Sequence, residues 1–268
     1  MNGQNYIKPK DSALHPRPKK RLGQHFLTDH RLAKKIVAEL KEASSDYIVE
    51  IGPGRGILTG MLLKQFGDRF HAVEIDSDLA RMLKQSMPTL HVLTADFLKL
   101  NLSETFPGTI AIIGNFPYNI SSQILFRVVA CHTQVQTVVG MFQREVAKRV
   151  VANPGNREYG IISVLLSAWY KREYLFELKP GAFSPPPKVH SAVIKLTHHE
   201  NTEAAWDEQM LATVVKTAFN QRRKMLRNSL QQLLSPEELE DSLFRQRPEQ
   251  LSLQQFIQIA DMINQRKV

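Results

Sequence analysis

Val49-Glu-Ile-Gly-Pro-Gly-Arg-Gly-Ile57 is the run on which the fold turns. It follows a short apolar stretch with strand character at 47–51 and leads into a helical pattern at 58–65. Gly52, Gly54 and Gly56 make a turn where a ligand can approach the backbone without meeting a Cβ. The third glycine comes one position too early for the G-x-G-x-x-G dinucleotide fingerprint, and a purely structural turn is the competing reading.

Outward from that turn a rhythm repeats. Apolar runs at 47–51, 70–75, 91–94, 109–114 and 137–142 read as buried strands, and stretches at 58–65, 79–85 and 121–130 read as helices between them. This alternation predicts βαβ units and a parallel sheet covered on both faces. Two further runs, 171–178 and 191–197, flank a turn rich in Gly and Pro and are expected to pair antiparallel at one edge. Residues 198–203 read as a polar linker, and beyond them no strand pattern survives. Ser235-Pro-Glu-Glu238 and Ser252-Leu-Gln-Gln255 read as helix starts, the second followed by a stripe of Leu253, Phe256, Ile257, Ala260 and Ile263. The expected organisation is a polar, disordered tail at 1–16, an α/β domain at 17–200 and a small all-helical domain at 204–268.

The strand ends carry polar groups in register. Glu74 closes the second strand, where an open α/β sheet places a carboxylate to accept ribose hydroxyl hydrogen bonds. Asp96 closes the third and Asn115 the fourth. Each alone is a common cap of a following turn. Together with the glycine turn they line one crevice, and they point to a nucleoside derivative as ligand. Asn115-Phe-Pro-Tyr118 stands at the mouth of that crevice. An adenine N6 is a poor nucleophile because its lone pair is delocalised into the ring. The Asn115 amide oxygen and a carbonyl just before Pro117 can accept its two N–H bonds and turn the lone pair toward a methyl sulfonium. Pro117 fixes the turn and Tyr118 offers a face for the base to stack on, the plainer alternative being a Pro-Tyr turn with a half-buried ring.

Composition narrows the partners. The net charge of +9 is concentrated in two segments, 8–35 and 216–227. That distribution favours a polyanion, with two solvated basic faces as the bland alternative. Neither segment has the aromatic and leucine face of an interfacial helix, so nucleic acid is preferred over a membrane. The longest mostly apolar stretch, 159–170, is too short to span a bilayer, and the polar start does not read as a signal peptide. A single cysteine, Cys131, excludes an internal disulfide and a multi-cysteine zinc site, and is expected to be a small buried residue. His198 and His199 stand without further ligands nearby, so no metal is expected; Met141, Phe142, Trp169 and Trp206 read as packing residues. The expected location is cytoplasmic.

The run Asn115-Phe-Pro-Tyr-Asn-Ile-Ser121 resembles the Asn-(Leu/Ile)-Pro-Tyr-Asn-Ile-Ser motif of the ribosomal RNA adenine N6,N6-dimethyltransferases. Lys20-Arg-Leu-Gly-Gln-His-Phe-Leu27 resembles that family's cofactor-covering N-terminal motif, and Glu50-Ile-Gly-Pro-Gly54 its glycine loop. Ala182-Phe-Ser-Pro-Pro-Pro-Lys-Val189 resembles its loop beside the target base, and Ala218-Phe-Asn-Gln-Arg-Arg-Lys-Met-Leu-Arg-Asn228 its C-terminal RNA-facing helix. The resemblance implies a Rossmann-like class I methyltransferase sheet and S-adenosyl-L-methionine as cofactor. It is nearest to the branch that dimethylates two neighbouring adenines near the 3′ end of 16S rRNA. The implied cofactor contacts are His25, Leu27, Gly52, Gly54, Glu74, Asp96 and Asn115, and the implied catalytic group is Asn115, Pro117, Tyr118 and Phe183, the two rings flanking a flipped adenine. Expected RNA contacts are Lys19, Lys20, Arg21, Arg222, Arg223, Lys224 and Arg227. The implied partner is 16S rRNA in an immature 30S particle, met by a monomer.

Two positions depart from the family pattern. His25 stands where many members have Asn, and Phe116 replaces the usual Leu or Ile, with its ring expected to pack behind the loop and reshape the pocket. Two rival functions remain: methylation of 23S rRNA adenines, and a non-catalytic nucleic-acid-binding factor on the same fold. Intact Glu74, Asp96 and Asn115–Tyr118 favour working chemistry over the second.

Overall fold

The computed structural model describes residues 18–19, 22–40, 43–199 and 206–265. Its centre is a seven-stranded sheet. The strands are β2 (Tyr47–Ile51), β3 (Phe70–Glu74), β4 (His91–Thr94), β5 (Ile110–Asn115), β6 (Val135–Gln143), β7 (Tyr170–Leu178) and β9 (Ser191–His198), in the order β4-β3-β2-β5-β6-β9-β7. The first five run parallel; β9 is antiparallel to both β6 and β7. The expected antiparallel pair is therefore present, with the later strand inserted between β6 and the edge. A two-stranded ribbon, β1 (Phe26–Leu27) with β8 (Phe183–Ser184), stands apart from the sheet.

Helices α2 (Thr59–Phe66), α3 (Ser77–Ser86), α4 (Leu102–Thr105) and α5 (Ser121–Ala130) make the crossovers, and α1 (His30–Ala38), α6 (Arg144–Val151) and α7 (Ile161–Ser167) complete the coat. The central strands are apolar on both faces because helices cover both. Ile110, Ala111, Ile112 and Ile113 are all fully buried, and alternate residues enter two separate clusters. The order reverses between β2 and β5. There the carboxyl ends of two adjacent strands diverge, and an open sheet leaves a crevice.

Beyond β9 lie α8 (Glu208–Asn220), α9 (Leu226–Ser229) and α10 (Leu253–Asn264), with single 3₁₀ turns between them. The Ser252 hydroxyl accepts the Gln255 N–H and the Gln255 side chain accepts the Ser252 N–H, which starts α10 as expected. At Ser235 the same reciprocal pair forms with Glu238, but only a 3₁₀ turn at Glu238–Glu240 follows. Asp241 leaves the helical conformation and its carboxylate caps the next turn at Leu243. The stretch 218–228 is likewise not one helix: α8 stops at Asn220, a turn carries the basic residues, and α9 begins at Leu226. The polar stretch at 198–203 starts later than expected, because His198 still belongs to β9; residues 200–205 lie outside the described residues. Cys131 caps α5 and is half-buried rather than buried.

One apolar cluster runs without a break from the sheet into the helical region. It joins Leu125, Val164 and Trp169 to Met210, Val214 and Phe256. The Tyr159 hydroxyl donates to the Leu251 carbonyl at 3.0 Å, and His132 Nε2 meets Glu208 at 3.1 Å, so polar ties accompany the shared core. No helix among the described residues is long and apolar enough to cross a membrane.

Glu50 lies in β2 beneath the glycine turn, almost fully buried, with the Thr59 hydroxyl donating to Oε2 at 2.7 Å. Burial raises its carboxyl from the ordinary 4.5 to about 8, despite that bond. Between those two values the folded chain holds a proton that the unfolded chain has lost, so this group's contribution to stability falls as pH rises from 4.5 to 8. Glu50→Gln removes that dependence. Thermal melts of the ligand-free protein are expected to show the variant gaining on the wild type steadily between pH 5 and pH 8. A constant difference across that range is incompatible with a protonated buried Glu50.

Candidate nucleotide and base-binding cleft

The crevice at the β2–β5 reversal opens into a cleft of about 910 Å³, solvent mouth included. Gly52, Gly54, Glu74, Asp96, Asn115, Pro117 and Tyr118 all line it, and so does His25. Gly52 and Gly54 both have positive φ, 66° and 58°, which a side chain disfavours. They serve different ends. A Cβ on Gly52 finds nothing nearer than the Pro117 ring at 4.0 Å, which leaves the backbone open to the cleft. A Cβ on Gly54 would lie 2.8 Å from the Phe26 ring, so that glycine lets the N-terminal segment close over the loop.

Glu74 is almost fully buried at the end of β3. Oε2 accepts the Gly54 N–H at 3.1 Å and Oε1 the Asp76 N–H at 2.9 Å. Burial holds its carboxyl above the ordinary range, although the N–H groups of Asp76, Gly54 and Ile75 act the other way. A carboxylate has about four lone-pair sites, so it can accept further donors beside these backbone groups, which suits the hydroxyls of a ribose. Asp96 combines the two roles open to it: Oδ1 accepts the Leu98 N–H at 3.0 Å while the residue forms cleft wall.

Asn115 is oriented from outside its own loop. Its Nδ2 donates to the His25 carbonyl at 2.6 Å, leaving Oδ1 as the acceptor for a cleft ligand. Pro117 accepts the Ile120 N–H and closes the turn; the Ser121 hydroxyl donates to the Tyr118 carbonyl at the start of α5. The Tyr118 hydroxyl lies 2.5 Å from Ser191 Oγ, and burial keeps its phenol above the ordinary value, hence neutral. Phe116 packs behind the loop as expected, 1% exposed and edge-on to Phe142 at 5.1 Å.

Residues 22–26 form the outer wall, and a latch absent from the sequence reading holds that wall in place. Lys19 Nζ contacts Asp76 at 2.6 Å and Asp78 at 2.9 Å, Gln24 Nε2 donates to Asp76, and the Lys19 N–H donates to Gln24. Burial pushes the Asp76 carboxyl up, but Lys19, the Asp78 N–H and Gln24 outweigh it and hold the group below its ordinary value. The only sequence signal was an acid two residues after Glu74, indistinguishable from the N-cap of α3, which Asp76 also is.

Several expected residues are placed elsewhere. Phe183 is not brought to the cleft: its short strand pairs with β1, and the ring is buried in the core beside Leu27. Leu27 lines only a small adjoining hollow with Glu50 and Arg55, because its strand partner holds it below the main cleft. The Lys19 charge is taken up by Asp76 and Asp78 and not offered outward. Lys20 and Arg21 lie outside the described residues. Arg223, Lys224 and Arg227 are exposed on the α8–α9 turn and α9; Arg222 is half-buried and donates to the Arg157 carbonyl at 2.5 Å. Arg227 also lines an open polar groove with Asn228, Gln231 and Gln232.

Known proteins bear on this geometry. A family model described as ribosomal RNA adenine dimethylase matches residues 16–265. The ribosomal RNA small subunit methyltransferase A of Parabacteroides distasonis is 48% identical over 254 residues, covering 93% of this chain and 95% of that protein. Its Porphyromonas gingivalis counterpart is 46% identical over 253 residues, covering 92% and 98%. Among solved structures, a dimethyladenosine transferase from Plasmodium falciparum superposes with a TM-score of 0.79 at 24% identity, over 91% of this chain and 99% of that one. The 23S rRNA methyltransferase ErmE gives 0.67 at 24% identity, over 88% and 99%. These two likenesses concern the fold. The family match runs through the cleft and the helical region alike, and the chain belongs to the ribosomal RNA adenine dimethylase family.

Proposed function

We propose that the chain transfers methyl groups from S-adenosyl-L-methionine to N6 of two adjacent adenines near the 3′ end of 16S rRNA. It does so as a cytoplasmic monomer acting on an immature 30S particle. The single observation that carries the chemistry is the Asn115 amide, whose nitrogen is committed to the His25 carbonyl and whose oxygen is left for a donor in the cleft.

The cleft residues fit the cofactor. Gly52 presents open backbone, the Glu74 carboxylate stands at the cleft wall, and Asp96 shares that wall. When bound, the cofactor supplies a methyl group on a sulfonium, a good electrophile. Everything else falls to the chain. Asn115 Oδ1 and the Phe116 carbonyl accept the two N6 hydrogens, which draws the nitrogen lone pair out of conjugation and orients it. Tyr118, neutral and fixed at its hydroxyl by Ser191, supplies a flat face for the base. No strong base is needed, because the methylated amine is cationic and gives its proton readily to water. Reaching the cleft requires the adenine to leave its stack. The exposed cations Arg223, Lys224 and Arg227, with Arg222 beside them, suit the phosphates of a large folded RNA.

Labelled methyl transfer to immature 30S particles lacking adenine dimethylation is expected to give N6,N6-dimethyladenosine near the 16S 3′ end. Asn115→Ala is expected to lower kcat by about 100-fold or more while S-adenosylhomocysteine still binds. With 50S precursors assayed in parallel, label on their 23S RNA and none on the 30S particles refutes the target, and label on no RNA refutes the activity. Replacing Arg222, Arg223 and Lys224 together by Gln should flatten the slope of log affinity against log salt by about 2, with cofactor binding untouched. An unaltered slope removes this turn from the RNA interface.

A further inference from the structure

His25 does more in this structure than wall the cleft. Its ring stacks on Tyr118 with centroids 5.5 Å apart and planes 27° from parallel. Its Nδ1 lies 2.8 Å from the Pro185 carbonyl, an acceptor only, so Nδ1 carries the proton and donates. Its own backbone carbonyl accepts the Asn115 amide at 2.6 Å. One residue of the N-terminal segment thus touches both side chains proposed to handle the base. It also ties them to the 183–191 loop, whose Ser191 holds the other end of Tyr118.

The neighbouring geometry makes this contact firm. Gly23 has φ of 62°, and a Cβ there would fall 2.8 Å from Asn119 Oδ1, so the segment lies tight against the 115–121 motif. Behind it, β1 pairs with β8, and Thr28 donates from both its N–H and its hydroxyl to the Ala182 carbonyl. Phe183, the ring expected to share the base with Tyr118, is buried in the core. Among the described residues His25 carries the one ring in contact with Tyr118.

We infer that His25 is a positioning residue for the target adenine, fixing the Tyr118 ring from one side so that the base stacks on the other. The inference rests on the adenine-methylating reading above and assigns a residue to its base-orienting step. Stacking of this kind is worth something only if the ring cannot rotate away. Tyr118 is pinned at its hydroxyl by Ser191 and along its face by His25, and the imidazole is pinned in turn by Pro185. Asparagine, the residue many members have here, has no ring to give, so this chain holds its tyrosine by a different device.

The test compares His25→Ala, His25→Asn and His25→Phe with the wild type on undermethylated 30S particles. S-adenosylhomocysteine affinity is measured separately by calorimetry. His25 is only partly buried, so all three are expected to fold, and thermal melts check this. Expected are a kcat about 10-fold lower at saturating cofactor for Ala and Asn, whatever the product affinity, and recovery of most of the lost kcat in the Phe variant. A kcat restored to the wild-type level by saturating cofactor overturns the inference, whatever the product affinity. So does a Phe variant as slow as Ala. If the wild type itself methylates no adenine, the functional reading fails first, and the kcat comparison never arises.

Discussion

The carboxylate of Glu74 ties the glycine turn after β2 to the start of α3. It stands at the end of β3, yet its two oxygens accept N–H groups from the glycine turn after β2 and from Asp76 before α3. A buried acid is costly unless its lone pairs are answered, and here backbone supplies the answer on both sides. The consequence is mechanical: the loop after β2 and the start of α3 cannot move independently. Asp76 then extends the linkage outward, since its backbone serves Glu74 while its side chain holds Lys19 and Gln24. A wall made from residues 22–26 is therefore fastened to a carboxylate that lines the cleft.

That fastening explains why a segment with little core of its own is ordered over the cleft. Its apolar anchors are Phe26 and Leu27, both buried, and its ladder with β8 is only two residues long. A ribbon of that length is marginal alone. The charge pair at Asp76, the close approach at Gly23 and the packing of Phe26 on Gly54 distribute the load over three chain segments. The same segment delivers the His25 carbonyl to Asn115, so the wall of the cleft and the orientation of the amide depend on one another.

Much of this was legible in the sequence. The glycine turn, the acids at strand ends and the Asn115–Tyr118 motif all fall where period-2 and period-3.6 patterning put them, and the cleft unites them. What the sequence hid has a common physical character. Lys19 read as a phosphate contact because charge density along the chain cannot show that an acid 57 residues away will claim the ammonium. Phe183 read as a base contact because motif likeness carries no information on which way a ring turns once its strand pairs with β1. The Ser235 start failed as a helix although its capping pair formed, since a cap answers the first N–H groups but does not provide a face to bury. Helices α1 and α7 went unread for a related reason: the first straddles the end of a basic segment, and the second is nearly all apolar and shows no stripe.

Phe116 shows how a departure from the family pattern is accommodated in the packing. A phenyl ring is bulkier than the usual Leu or Ile, and overpacking a core generally forces strain. Here the ring lies over Gly114 and Gly140, which face each other on β5 and β6. A Cβ at Gly140 would fall 2.4 Å from the Phe116 ring and 2.5 Å from the Phe142 ring; one at Gly114 would fall 2.5 Å from the Ile51 carbonyl and 2.8 Å from the Phe116 ring. Two missing side chains make the room that one larger side chain fills, and the edge-on contact with Phe142 completes the fit. The volume is balanced behind the loop, so Asn115 on one side of Phe116 and Pro117 on the other keep their places in the cleft wall. The absence of a side chain at position 140 is thus required by the rings of Phe116 and Phe142 together, so trimming Phe116 alone does not make room for a side chain there.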